Sequence, residues 1–283
     1  MTGWKAFLIP GLFLFLLGAE RLIPLRRRKH PWPRRFAINM AMTTFVFVVG
    51  FLLVRNMGLA GAGRARTEGW GLCCRLDMPP WLTIPIGFCL MDLTFYYWHR
   101  ANHVIGVLWR FHNVHHVDPD LDVSTSFRFH FVEIGYSTLF RVLQVLVLGI
   151  GPLTYVIYET VFTMGTMFHH SNVRLPYRLE YWLNKILVTP RMHGVHHSAL
   201  RAETNSNYSV VFSWWDRLHR TIVLNVRQAD IDIGVPAYQR GEDNRLWSLL
   251  KMPFTGQRAY WRFEDGCAPA GNQASNAPSH MLA

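Results

Sequence analysis

Apolar residues along this chain come in long blocks rather than in strand-like alternation, and the blocks approach membrane-crossing length. Ala6 to Leu17 is almost wholly apolar, and the stretch runs on past Glu20 and Arg21 to Leu25. At about 1.5 Å per residue, one helix of that length spans a ~30 Å hydrocarbon layer. Lys5, the apolar run and Gly18-Ala19-Glu20 also fit a signal peptide. No A-x-A-like cleavage site is present and a basic loop follows at once, so we read an uncleaved transmembrane helix. A second block, Ile38 to Val54, has Asn39 at its mouth and Thr43 and Thr44 inside. Residues 55–78 read as an irregular Gly- and Arg-rich loop. Its Gly61-Ala62-Gly63 lacks a preceding strand and a third glycine, so it carries no nucleotide role. Pro79 and Pro80 mark the start of a third block, Trp81 to Trp98. Residues 134–168 read as a helical hairpin whose apolar arms break at Gly149, Gly151 and Pro152. Each arm is short for a full crossing, so a hairpin that only dips into the membrane fits as well. The last twenty residues read as a disordered tail.

The pattern predicts an all-α protein: an integral membrane helical bundle of transmembrane helices and hairpin arms, carrying a polar cap. Composition agrees. Of 283 residues, 50% are hydrophobic and 17% charged, against roughly a quarter charged in a typical soluble domain. Aromatics reach 14%, with 11 Trp, and Trp collects at lipid–water boundaries. Mean hydropathy is only +0.09, so part of the chain lies in water.

The net charge of +11 admits nucleic acid as a partner, but no motif of that class accompanies it. Arg26, Arg27, Arg28, Lys29, Arg34 and Arg35 instead share one short loop beside an apolar block, as the positive-inside rule predicts for a cytoplasmic loop. That loop also suits contact with anionic lipid head groups. With it cytoplasmic, the second block leaves the cytoplasm and the third returns, so 99–133 is cytoplasmic. The hairpin goes out and back, which puts 169 onward on the same side. Cys73, Cys74, Cys89 and Cys267 form no CxxC pair, which leaves zinc-ribbon and thioredoxin-like sites without support.

That side holds the chemistry. Of 14 histidines, 11 lie from His99 to His197. They include His99-Arg-Ala-Asn-His103, His112-Asn-Val-His115-His116 and His193-Gly-Val-His196-His197. On a helix, positions i, i+3 and i+4 share a face with Cβ atoms about 5–6 Å apart, the spacing that lets several imidazoles converge on one metal or two neighbours. A lone HxxxH is usually incidental; two HxxHH boxes plus an HxxxH beside membrane segments are hard to obtain by chance. Imidazole suits zinc, copper, iron and nickel alike. His130 and the pair His169-His170 lie between the boxes, and each is a candidate further ligand or a hydrogen-bonded core histidine. Asp92, seven residues before His99, is inside the third block, where a carboxylate costs at least ~2.5–3.5 kcal/mol. It is placed to accept a hydrogen bond from a ligating histidine, or to pair with a buried cation. Asp118 and Glu133 are candidates for the same role near the second box and His130.

These residues resemble the fatty acid hydroxylase/sterol desaturase superfamily of integral-membrane, histidine-box oxygenases, in its bacterial form. The matching stretches are Asp92 to Arg100, Leu108 to His116, Arg128-Phe129-His130, His170-Ser171-Asn172, Thr189 to His197, Asn207-Tyr208 and Trp215 to Leu218. They run in the family's order over roughly 80–221. The resemblance implies a four-helix membrane region under a cytosolic cap that holds a di-iron centre, with O2 as co-substrate and zinc as an occasional substitute in purified protein. It implies His99, His103, His112, His115, His116, His170, His193, His196 and His197 as ligands. Asp92, Asn172, Asn207 and Asp216 would be their outer hydrogen-bonding partners. Leu218-His219-Arg220-Thr221 departs from the family's usual Phe-Gly-Thr ending, which argues against close kinship with sterol oxidases.

On this reading 1–78 is an N-terminal membrane region with the basic loop, 79–221 the catalytic domain and 222–283 an extension with a tail. The function expected is hydroxylation, or desaturation, of a sterol, hopanoid, carotenoid, fatty acyl or ether lipid in the bacterial inner membrane. Electrons would come from an external reductase, ferredoxin or cytochrome, since the chain shows no flavin, haem-attachment or Rossmann motif. The rival is a metal-binding or metal-transporting membrane protein without oxygenase activity. Transport predicts histidines near the midplane of several spans, whereas here they gather at the membrane edge. A bis-histidine haem protein and a non-catalytic relative are weaker alternatives.

Overall fold

The computed structural model describes residues 5–49, 52, 55–76, 78–229 and 231–270. The tail from 271 lies outside the described residues, as do positions 50, 51, 53 and 54 of the second block. Ten helices build the histidine region and its surroundings: α1 (Lys5–Leu22), α2 (Trp32–Val49), α3 (Arg55–Glu68), α4 (Leu72–Arg75), α5 (Pro80–Val104), α6 (Gly106–His116), α7 (Phe131–Leu148), α8 (Pro152–His170), α9 (Tyr177–Leu183) and α10 (Pro190–His196). Among the described residues there is no β-strand; extended segments meet only in isolated bridges such as Leu187 with Phe212.

Local chemistry sets the boundaries near the site. Pro80 opens α5 at its first position, where a missing N–H costs nothing. The chain turns at Ile105, in extended conformation, and α6 starts at once. That corner folds the histidines of α6 back against those of α5. Gly149, left-handed at φ 69°, ends α7, and Pro152 opens α8. The break therefore falls where the glycines and proline place it.

The region expected to be an irregular loop is instead mostly helix: α3 and α4 fill much of 55–75. Leu, Met, Ala and Arg are good helix formers and outweigh the glycines of α3. Gly58 permits close packing, because a Cβ there would collide with the Tyr155 ring of α8.

By length and apolar composition, α7 alone among the described helices qualifies to cross a membrane. The apolar runs of the others are diluted by Glu20 and Arg21 in α1, Arg34 and Arg35 in α2, Asp92 in α5 and Glu159 in α8. Even so, α1, α2, α5 and α7 expose large apolar side chains, including Phe7, Phe15, Phe47, Trp81 and Leu139. Inside, Phe88 and Met91 of α5 pack with Val145 of α7 and Tyr158 of α8. A separate cluster of Leu121, Val195, Val226, Ile231 and Ile233 underlies α10; each such side chain, if taken from water, contributes about 1.5–3 kcal/mol.

The basic loop is only partly free. Arg26 is buried and donates to Gln228 Oε1 at 2.6 Å, and Arg35 donates to Asp118 Oδ2 at 2.8 Å. Arg27, Lys29 and Arg34 remain exposed.

Candidate metal centre

Four helices deliver histidines to one place: α5 brings His99 and His103, α6 brings His112, His115 and His116, α8 brings His170, and α10 with its C-cap brings His193, His196 and His197. All nine are buried. They sort into two groups whose ligand nitrogens lie within 4.8 Å of one another. One holds His99, His103, His112, His116 and His196; the other holds His115, His170, His193 and His197. Each HxxHH box is thus split between both groups. The groups adjoin, since the rings of His116 and His197 stack at 4.4 Å.

Tautomers follow from the partners. His99 Nδ1 faces the Tyr208 carbonyl at 2.7 Å, His196 Nδ1 that of Ser206 at 2.7 Å, His115 Nδ1 that of Arg128 at 3.2 Å and His170 Nδ1 that of Thr166 at 2.8 Å. A carbonyl only accepts, so each Nδ1 carries the proton and each Nε2 presents a lone pair. His112 Nδ1 is 2.7 Å from Glu133 Oε1. Nε2 of His112, His116 and His196 has no hydrogen-bond partner among the described residues. Nε2 of His115 and His170 face each other at 3.0 Å, and that of His193 is 3.0 Å from His170. Two bare lone pairs at that separation repel, and a cation between them turns the repulsion into ligation. The donor set therefore fits bound metal. Burial holds the imidazoles neutral, as ligation requires: it pushes His112 down to about 3. Burial, followed by neighbouring histidines, keeps His116 and His197 well below their usual value.

Other expected residues lie elsewhere. Asp92 accepts from Phe212 N at 3.0 Å and Trp215 Nε1 at 2.7 Å, and among the described residues no histidine donates to it. Asp216 accepts from the Tyr208 and Ser209 amides at 2.9 and 2.8 Å, and so fixes the loop whose Tyr208 carbonyl holds His99. Asn207, at φ 52°, joins Met192 of α10 to Val223 through 2.9 and 2.7 Å bonds. Asn172 clasps Arg26 through bonds of 2.9 Å in both directions. Asp118 binds Arg35, Asn39 and Thr125 rather than a histidine. His130 caps α7, its Nδ1 accepting from Val132 N at 3.2 Å, and its Nε2 faces the Leu250 carbonyl at 3.2 Å; it belongs to neither group. His169 is also in neither group, and its Nδ1 faces the Val210 carbonyl at 3.1 Å. The backbone carbonyls that orient the ligands carry no side-chain signature, so nothing in the sequence announces them.

A cavity of about 220 Å³ opens on the histidines. His99, His112, His115 and His170 line it together with Phe95 and Phe162.

The fatty acid hydroxylase family model matches residues 84–221. The chain is 30% identical over 152 residues to an ornithine lipid hydroxylase of Rhizobium tropici, covering 54% of this chain and 45% of that protein. It is 30% identical over 142 residues to the alkylglycerol monooxygenase of Homo sapiens, covering 50% and 31%. With cholesterol 25-hydroxylase of Homo sapiens it shares 29% over 140 residues, covering 48% and 50%. The chain thus spans half or less of the length of these curated relatives. No solved structure matches it. The matched segment carries all nine clustered histidines, and over it the chain is similar to the fatty acid hydroxylase family.

Proposed function

We propose that this protein is a membrane-bound oxygenase that holds two irons in its paired histidine groups and hydroxylates, or desaturates, a C–H bond of a lipid. The observation that carries the reading is the pair of adjacent, all-imidazole, buried groups opening on an apolar-walled cavity. The relatives' names support it, since they describe a lipid hydroxylase, an alkylglycerol monooxygenase and a cholesterol hydroxylase. Exposed apolar side chains on α1, α2, α5 and α7 support a membrane setting, and the arginine loop supports a cytoplasmic histidine face in a bacterial inner membrane.

Two irons held there would activate O2 with electrons from a separate donor and so supply the oxidising power that an unactivated C–H bond demands. The chain's own part is positional. Carbonyls of Tyr208, Ser206, Arg128 and Thr166 lock the ligand rings, and Glu133 does the same for His112 through the contact with its Nδ1. Phe95, Phe129 and Phe162 line the cavity and exclude water from the reacting carbon. The test compares lipid extracts of a deletion strain complemented with wild type or His112→Ala. Wild type restores a species one oxygen richer, or one double bond richer, and His112→Ala does not. Identical extracts from both would overturn the assignment.

A further inference from the structure

The cavity has a polar feature that metal binding does not use. Arg141 of α7 pairs with Glu159 of α8, Nε to Oε1 at 2.8 Å, with side chains 7% and 27% exposed. Both line the cavity. Ionised side chains on two apolar helix arms are expensive, and in membrane proteins such groups mark functional sites. Arg141 is fixed: Nη1 donates to Gln144 Oε1 at 2.6 Å, and the guanidinium stands over Phe95 and Phe162 at 4.9 and 5.2 Å. Gln144 in turn donates to the Met91 carbonyl at 2.8 Å. Glu159 is the less covered partner.

We propose that the cavity takes a lipid whose neutral hydroxyl hydrogen-bonds the Arg141–Glu159 pair while its apolar body extends to the histidines. This rests on reading the cavity as the lipid site. The pair already cancels its own charge. A carboxylate would compete with Glu159 for Arg141, and a phosphate or ammonium head would need desolvating beside it. A hydroxyl donates to Glu159 and accepts from Arg141 without disturbing either. The spacing follows from the helices. Arg141 lies eight residues along α7 from Glu133, the partner of His112, or about 12 Å. Glu159 lies eleven residues along α8 from His170, or about 16 Å. The oxidised carbon is therefore separated from the hydroxyl by roughly 12–16 Å of apolar framework. That fits a polycyclic or long-chain lipid alcohol rather than a lipid gripped by a charged head group.

Photo-crosslinking of the full chain in lipid nanodiscs tests this with three probes of equal length, each bearing a diazirine at its apolar end. They are a long-chain primary alcohol, the corresponding hydrocarbon and the corresponding carboxylate. The alcohol is expected to label segments 127–134 and 163–170 at least about tenfold more than either other probe. In Arg141→Leu/Glu159→Leu, which replaces a buried pair by apolar side chains and so preserves charge balance, the preference disappears. Equal labelling by the hydrocarbon, a preference for the carboxylate, or a folded double variant that keeps the alcohol preference each overturns the proposal. The wild-type comparison decides even where the double variant does not fold. Labelling requires neither iron nor O2, so failure of the oxygenase reading would show in metal content and lipid products, not here.

Discussion

His112 Nδ1 lies 2.7 Å from Glu133 Oε1, a contact between the second histidine box and the first turn of α7, with both side chains 5% exposed. A carboxylate in that position fixes the ring tautomer and strengthens the ligand. Glu133→Ala is expected to weaken metal binding by roughly 10–100-fold, and Glu133→Gln by less, since an amide oxygen still accepts the bond. Competition against a graded chelator measures both. An unchanged affinity in Glu133→Ala would remove Glu133 from the site.

His130 makes the opposite prediction. It is the N-cap of α7 and stands outside both histidine groups. His130→Ala should keep full metal content and lose about 0.5–2 kcal/mol of stability. Metal analysis beside a denaturation midpoint separates the roles; loss of metal with an unchanged midpoint would make it a ligand.

The split of each HxxHH box yields a test between adjacent residues. His116 belongs to the five-membered group and His115 to the four-membered one. His116→Ala leaves four imidazoles in its group, whereas His115→Ala leaves three. Under mild chelation, His115→Ala should lose one ion first, while His116→Ala holds nearer to two. Indistinguishable loss in the two variants would contradict the grouping.

Why the boxes were legible and their partition was not is a matter of range. His112, His115 and His116 share a helical face because of local geometry, which any i, i+3, i+4 pattern reveals. Which of them joins His196 and which joins His193 depends on how α5, α6, α8 and α10 cross, and no single segment encodes that. Asp92 was conspicuous as a carboxylate in an apolar run, but its partners, Phe212 N and Trp215, come from a segment 120 residues later. The helix at α3 was obscured by its glycines, and the role of one of them, Gly58, in clearing Tyr155 shows only once α8 is in place.

Asp118 ties α2 to the segment between α6 and α7. It accepts from Arg35, Asn39 and Thr125 at 2.8–2.9 Å and lies 3.5 Å from Arg128. Burial alone would raise its pKa, but Arg35 and Arg128 outweigh that and hold it below the usual 3.8. A depressed folded value means that the stabilisation is complete above the unfolded pKa and is lost as pH falls through the folded one. Asp118→Asn should therefore cost about 3–5 kcal/mol at neutral pH and flatten the acid limb of the stability curve. Thermal midpoints recorded from neutral pH into the acid range check this; a limb as steep as wild type would assign acid lability to other groups.

The paired metal centre is tested most directly by counting metal in protein purified from iron-replete cells, alongside His112→Ala. Two filled histidine groups predict close to two irons per wild-type chain and a clear reduction in the variant. A wild-type protein that remains metal-free under those conditions, or a variant with the same iron content as wild type, would contradict them.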